Sequence, residues 1–326
     1  MRPDRGPAFS IPVTPPDSID FSAVRILDGG MATELERRGC NISGPLWSAH
    51  VLDQSPAIIA AVHLDYLRAG ADCISTASYQ VSTLGYRELG RPPADANSAL
   101  PQSVSLAEQA RALYAREDPR RIWIAASLGP YGAALHNGAE YHGNYTIHFD
   151  DLIAFHAERL AVLANTSADL LALETIPSLE EARALLRALE LYPDLTAWIS
   201  FTCRDAAHVA HGEPLRVCAE ALAPSPQVAA IGINCTAPQH VTTLIAEARR
   251  GCRDRKPVIV YPNSGETWDA PTRTWRGASD SSHFGALART WYAAGAQAVG
   301  GCCRTGPAHI AATAAAFRAP VTTASS

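Results

Sequence analysis

The sequence predicts an α/β fold built as a (β/α)8 barrel, a closed parallel sheet of eight strands. Two observations lead there. A short apolar run followed by a longer amphipathic stretch recurs eight times, and the runs are apolar across both faces with little alternation. Strands apolar on both sides belong to parallel sheets covered by helices. Eight such units point to a closed barrel of the TIM type rather than an open doubly wound sheet. The open sheet is the alternative. It needs a nucleotide fingerprint after an early strand, and neither GxGxxG nor GxxxxGK[ST] occurs.

The expected strands lie in VRILDGG (24–30), DCISTASYQ (72–80), RIWIAASLG (121–129), ADLLALET (168–175), TAWISFTC (196–203), VAAIGINC (228–235), PVIVYPNSG (257–265) and AQAVGGCC (296–303). Between them the helical period takes over. Pro56 suits a first turn, Ile59, Val62, Tyr66 and Leu67 fall at helical spacing, and Gly70 supplies a stop. Ser178 and Glu181 form a capping box ahead of Ala182, Leu185, Leu186 and Leu189. Further helices are expected over 149–163, 238–249, 281–294 and 307–317. The first three units are longer than the fourth to sixth, so early loops are expected to roof the site.

The chain has 326 residues, 47% hydrophobic and 18% charged, with a net charge of -5. That composition describes a globular protein with a sizeable core. A mildly acidic balance without a basic run argues against nucleic acid or an anionic membrane as partner. No run of about 18 apolar residues occurs, so no membrane span is expected. The first twenty residues hold five prolines and no apolar core. Residues 1–22 therefore read as a disordered lead rather than a secretory signal, 23–318 as the barrel, and 319–326 as a flexible tail. A cytoplasmic, reducing location follows, in which the eight cysteines are better candidates for metal or catalysis than for a disulfide framework.

A barrel's active site lies at the C-terminal ends of its strands. Those ends carry Asp28-Gly29-Gly30, Thr76 to Gln80, Glu174-Thr175, Asn234-Cys235, Asn263 to Glu266 and Cys302-Cys303. Three thiolates with an open fourth position suit Zn²⁺, which is tetrahedral and accepts soft ligands; an open set of three is the catalytic kind. The competing readings are buried small hydrophobes or a vicinal redox pair at Cys302-Cys303. Glycines 300, 301 and 306 around that pair imply a close backbone approach. Cys40, Cys73, Cys203, Cys218 and Cys252 read as ordinary buried or surface thiols. Asp28 and Glu174 follow apolar strands; an N-cap and a structural ion pair compete with recognition of an ammonium group. The amides of Gly29 and Gly30 are placed to meet a carboxylate. Tyr79, Trp47 and Trp268 are aromatic candidates for a cationic methyl donor, against ordinary packing. His208 and His211 read as a solvated loop.

LDGGMATELERRG, LWSAHVL, AGADCISTASYQ, GPYGA, EYHGNY, LALETIP, GINCT, YPNSGE and GGCCRTGPAHI occur in this order, and the order resembles the homocysteine S-methyltransferase family from about Ile26 to Phe317. The resemblance implies a (β/α)8 barrel and a catalytic zinc. It implies that Cys235, Cys302 and Cys303 are the zinc ligands and catalytic centre. Asp28, Gly29, Gly30 and Glu174 then hold the amino-acid end of L-homocysteine, with Thr76, Tyr79, Gln80 and Asn234 completing the substrate site. STASYQ at 75–80 resembles members that use S-methylmethionine or S-adenosylmethionine as donor. Another thiol or selenol such as selenocysteine as acceptor, or a zinc and thiol redox protein without methyl transfer, are the alternatives.

Overall fold

In this computed structural model, residues 19, 21, 23–42, 48–269, 274–276 and 279–318 are described. Most of the expected lead, the 319–326 tail, Trp47 and the Trp268 side chain lie outside the described residues. Among the described residues nine strands occur: β1 (Cys73–Ser75), β2 (Trp123–Leu128), β3 (Leu170–Ile176), β4 (Ala197–Phe201), β5 (Val228–Asn234), β6 (Val258–Tyr261), β7 (Thr267–Asp269), β8 (Thr274–Arg276) and β9 (Ala298–Val299). Seven form one parallel sheet in the order β1-β2-β3-β4-β5-β6-β9, while β7 and β8 pair antiparallel as a separate ribbon. Nothing in the periodicity marked that ribbon.

The sheet therefore has seven strands where eight were expected. The first expected run contributes only two parallel bridges, Ile26 to Val299 and Leu27 to Cys73. Its backbone is bonded to both edges of the sheet, Leu27 N to Val299 O at 3.0 Å and Asp28 N to Cys73 O at 3.1 Å. Two features keep it short. The amides of Arg25 and Ile26 are both captured by the Asp72 carboxylate, and Gly29-Gly30 leads directly into the helix Met31–Arg37.

Alternate residues along the strands enter two different cores, as the two-residue period of a strand requires. Ile124, Ala126, Leu171, Leu173, Ile199, Ile231, Ile233 and Val260 pack outward against the helices. Trp123, Ala125, Leu170, Ala172, Trp198, Ala230, Ile259 and Ala298 fill the inner face of the curled sheet with Phe21 and Leu27. Phe21 meets Trp198 edge-on at 6.5 Å. Gly232 makes room in this layer, since a Cβ there would sit 1.9 Å from Ser200 Oγ. Continuing the inward parity toward the strand ends gives Ser127, Glu174, Ser200, Asn234 and Tyr261. The inner face thus turns polar at one end, and that gradient creates the site.

The helices follow the expected signals. Pro56–Ala69 starts on its proline, buries Ile59, Val62, Tyr66 and Leu67, and ends at Gly70 with φ 111°. Ser178 caps Leu179–Leu189 by accepting from Glu181 N at 3.1 Å. The reciprocal half of the expected capping box is missing, because the Glu181 carboxylate is committed elsewhere: to Tyr131 N, to His156 Nε2 and to the Tyr145 hydroxyl. Helices Phe149–Leu163, Pro238–Cys252, Ser281–Ala293 and Pro307–Arg318 complete the expected set. Among the described residues, no helix is long and apolar enough to cross a membrane.

Candidate active site

One cavity at the C-terminal ends of the strands is lined by all eleven residues that the family resemblance assigns to the site: Asp28, Gly29, Gly30, Thr76, Tyr79, Gln80, Glu174, Asn234, Cys235, Cys302 and Cys303. A larger cavity of about 590 Å³ opens at the opposite end, beside Phe21, Arg25, Lys256 and Tyr292. It is lined by neither a thiol nor a carboxylate, so the chemistry lies at the first.

Cys235 follows β5 with φ 46°, and a left-handed turn there aims its side chain across the strand ends. Cys302 and Cys303 follow β9 in a loop stitched from three sides. Cys302 N donates to Pro262 O at 2.8 Å, Cys303 O accepts from Ser264 N at 3.1 Å, and Gly301 N donates to Asp28 O at 2.9 Å. The close approach implied by the neighbouring glycines is met by protein atoms. A Cβ on Gly300 would lie 2.6 Å from Leu27 Cβ, and one on Gly30 would lie 2.5 Å from the Cys302 carbonyl oxygen.

The three sulfurs lie within 4.8 Å of one another. Cys235 and Cys303 are 3.7 Å apart, while Cys235 and Cys302 are in disulfide contact and Cys303 is free. The donor set fits zinc: bonds of about 2.3 Å in a tetrahedron give a sulfur–sulfur edge of about 3.8 Å, matching the Cys235–Cys303 spacing. Binding needs all three as thiolates, so the Cys235–Cys302 pair must be reduced. Burial pushes the Cys303 thiol up to about 11, and a bound cation reverses that preference. The remaining cysteines behave as read, with Cys73, Cys203, Cys218 and Cys252 buried. His208 and His211 pair with Asp205 and Glu213 instead of a metal.

Asp28 accepts from Ser75 N at 2.7 Å. Burial, with Glu174 nearby, raises it to about 8. Glu174 accepts from the Ser127 hydroxyl and is raised by burial to about 7, with Ser127 and Tyr261 pulling the other way. Among the described residues, neither has a cationic side chain as partner. Two buried acids of this kind fit a positively charged guest better than an N-cap or a structural ion pair. Asn234 joins this group to the thiols. Its Oδ1 accepts from Thr175 N at 2.9 Å and its Nδ2 donates to Thr175 Oγ1 at 2.8 Å.

Three of these residues also have partners within the protein. The Gly30 amide is bonded to Thr305, at 3.0 Å to the carbonyl and 3.2 Å to the hydroxyl, which leaves Gly29 as the amide without a partner among the described residues. Thr76 Oγ1 ties β1 to β2 through Ser127 N and Ser78, so it shapes the wall. Tyr79 packs on Gly129, whose missing Cβ would lie 2.8 Å from the ring. Sequence reasoning passed over Ser127, Tyr261, Glu140 and Tyr141, which also line the cavity. Inward parity was the signal for the first two. The last two sit in the loop after β2, inside EYHGNY.

The sequence pattern of the family described as homocysteine S-methyltransferase matches residues 25–317. The chain belongs to the homocysteine S-methyltransferase family. The homocysteine S-methyltransferase YbgG of Bacillus subtilis (strain 168) is 47% identical over 310 residues, covering 94% of this chain and 98% of the relative. Among solved structures, the homocysteine methyltransferase MmuM from Escherichia coli aligns in its oxidized form with a TM-score of 0.82 and in its metallated form with 0.81. Both are 43% identical and cover 90% of this chain and 96% of theirs. The likeness carried by GINCT and GGCCRTGPAHI is thus a family relationship, and a metallated homocysteine methyltransferase of this fold accords with the three-thiol donor set.

Proposed function

We propose that the protein is a zinc-dependent homocysteine S-methyltransferase, transferring a methyl group from S-methylmethionine or S-adenosylmethionine to L-homocysteine and forming methionine. The observation that carries this is the convergence of three thiols and two buried carboxylates in one cavity. We read the sheet as a (β/α)8 barrel whose first strand is reduced to residues 25–28, since that segment bonds to both sheet edges.

Cys235, Cys302 and Cys303 would hold the zinc. When bound, zinc supplies the Lewis acidity that keeps the acceptor sulfur a thiolate near neutral pH. Three thiolates around a divalent cation leave the centre with a formal charge of about -1, which favours a sulfonium donor. Asp28 and Glu174 hold the ammonium group of homocysteine, and the Gly29 amide faces its carboxylate. Asn234 fixes the Cys235 turn relative to Glu174. In the transfer, an electron pair of the acceptor thiolate forms the new sulfur–carbon bond. The old bond's pair stays on the donor sulfur, which leaves as a neutral thioether. No proton is needed by the leaving group, and no histidine lines the cavity. Alignment of the three reacting atoms is what these residues contribute.

The deciding assay offers zinc-loaded protein and homocysteine with S-methylmethionine, S-adenosylmethionine or betaine in parallel. Methionine should form with one or both sulfonium donors. Methionine from betaine alone, or from none, contradicts the proposal.

A further inference from the structure

Asp28 and Glu174 do not exhaust the acids of the cavity. Glu140 is a third, carried by a single 3-10 turn, Ala139–Tyr141, in the loop after β2. It is only 5% exposed, and its buried Oε2 has no hydrogen-bond partner. It lines the same cavity as the thiols, close enough for its charge to bear on the Cys303 thiol. Burial raises it to about 7. An acceptor shut away from water without a donor is costly, so native structures rarely keep one without a purpose.

The loop presents Glu140 in a fixed place. Gly132, in the short helix Tyr131–Ala134, lies directly against the turn, and a Cβ there would be 2.5 Å from Glu140 N and 3.0 Å from its Cα. Both flanks of the loop are fastened to one buried acid: Tyr131 N donates to Glu181 Oε1 at 2.6 Å and the Tyr145 hydroxyl to Oε2. His156 Nε2, 3.0 Å from Glu181 Oε1, holds that acid from behind.

On the proposed homocysteine reading, Asp28 and Glu174 answer the acceptor's ammonium, and Glu140 faces the second guest. A sulfonium carries positive charge but no N–H. It can balance the charge of Glu140 and still leave Oε2 without a donor. The α-ammonium of an amino-acid sulfonium supplies both charge and N–H donors. We propose that Glu140 recognises the α-ammonium group of the methyl donor, and so selects amino-acid sulfoniums such as S-methylmethionine over donors that lack an N–H. Betaine, a quaternary ammonium, falls in the excluded class. This assignment rests on the methyl-transfer reading but is tested separately from it.

The test compares wild-type zinc-loaded protein with Glu140→Gln, using S-methylmethionine and its des-amino analogue 4-(dimethylsulfonio)butanoate. Gln keeps the size and removes the charge. The KM for S-methylmethionine should rise about tenfold or more, the size of a lost charged hydrogen bond, while the KM for homocysteine does not move. The ratio of kcat/KM between S-methylmethionine and the analogue should fall toward one. Calorimetric titration of S-methylmethionine without acceptor gives the same comparison without turnover, so it remains decisive even if wild type makes no methionine. Glu140→Asp, which restores the charge, should recover part of the affinity, and it stands in if the Gln variant does not fold. An unchanged preference ratio, equal or absent donor binding in wild type and variant, or a shift confined to homocysteine overturns the assignment.

Discussion

Asp28 is held protonated by its surroundings, raised from 3.8 to about 8. Between those values the folded protein keeps a proton that the unfolded chain releases, so this group's contribution to stability is full at low pH and declines as pH rises. His63, pushed down to about 4 by burial, acts in the opposite sense below about pH 6.5. Comparison with Asp28→Asn isolates the carboxylate: relative to wild type, the variant should gain melting temperature steadily from pH 5 to 8. A difference independent of pH contradicts the assignment. Each of Cys235→Ser, Cys302→Ser and Cys303→Ser should lose bound zinc and methionine formation together, read by metal content and turnover; a fully active, metal-free Cys303→Ser protein contradicts the ligand set. The thiols and the two acids were legible because they end strands whose periodicity was clear. Ser127 and Tyr261 were equally placed by parity, but their types suggest packing when seen without neighbours. The partner of the Gly30 amide was not legible, because a glycine's sequence does not say which group its backbone meets; here it donates to Thr305.

Loops separate what was foreseen from what was not. The helices expected from period and caps fell within a few residues of their bounds, whereas Pro93–Tyr114 and Leu215–Leu222 were not singled out. The first strand did not form at its expected length, because the Asp72 carboxylate that takes the Ile26 amide, and so limits its pairing to single bridges, lies 46 residues away. The turn bearing Glu140 was equally hidden. Its position depends on Glu181, which the local pattern assigned to a capping box. Glu181→Gln keeps the shape but weakens the hold on Tyr131 N, Tyr145 and His156. A cost of about 1–3 kcal/mol in stability is expected, with faster hydrogen exchange at 139–145 and a lower kcat/KM. Unchanged amide protection there would show the loop to be fixed by something else.

Across the whole molecule, the three thiols join chain segments 67 residues apart, one after β5 and the other after β9. A metal bound only by the folded state stabilises it by mass action. Chelation under reducing conditions should therefore lower the melting temperature, and zinc should restore it; an unaltered transition argues against a shared metal. The barrel-like plan was readable from the eight repeats, whereas the site's inner spacing was not, since it emerges only when β3 and β5 are side by side through β4. That spacing rests on the two hydrogen bonds between Asn234 and Thr175. Asn234 precedes a sulfur and Thr175 follows an acid, so on the proposed reading the pair works as a calliper. Cysteine, one methylene shorter than homocysteine, touches one jaw and misses the other. Asn234→Ala should loosen the jaws, shrinking a preference for homocysteine over cysteine of about 10–200-fold and leaving an enzyme that no longer gauges the length of its guest.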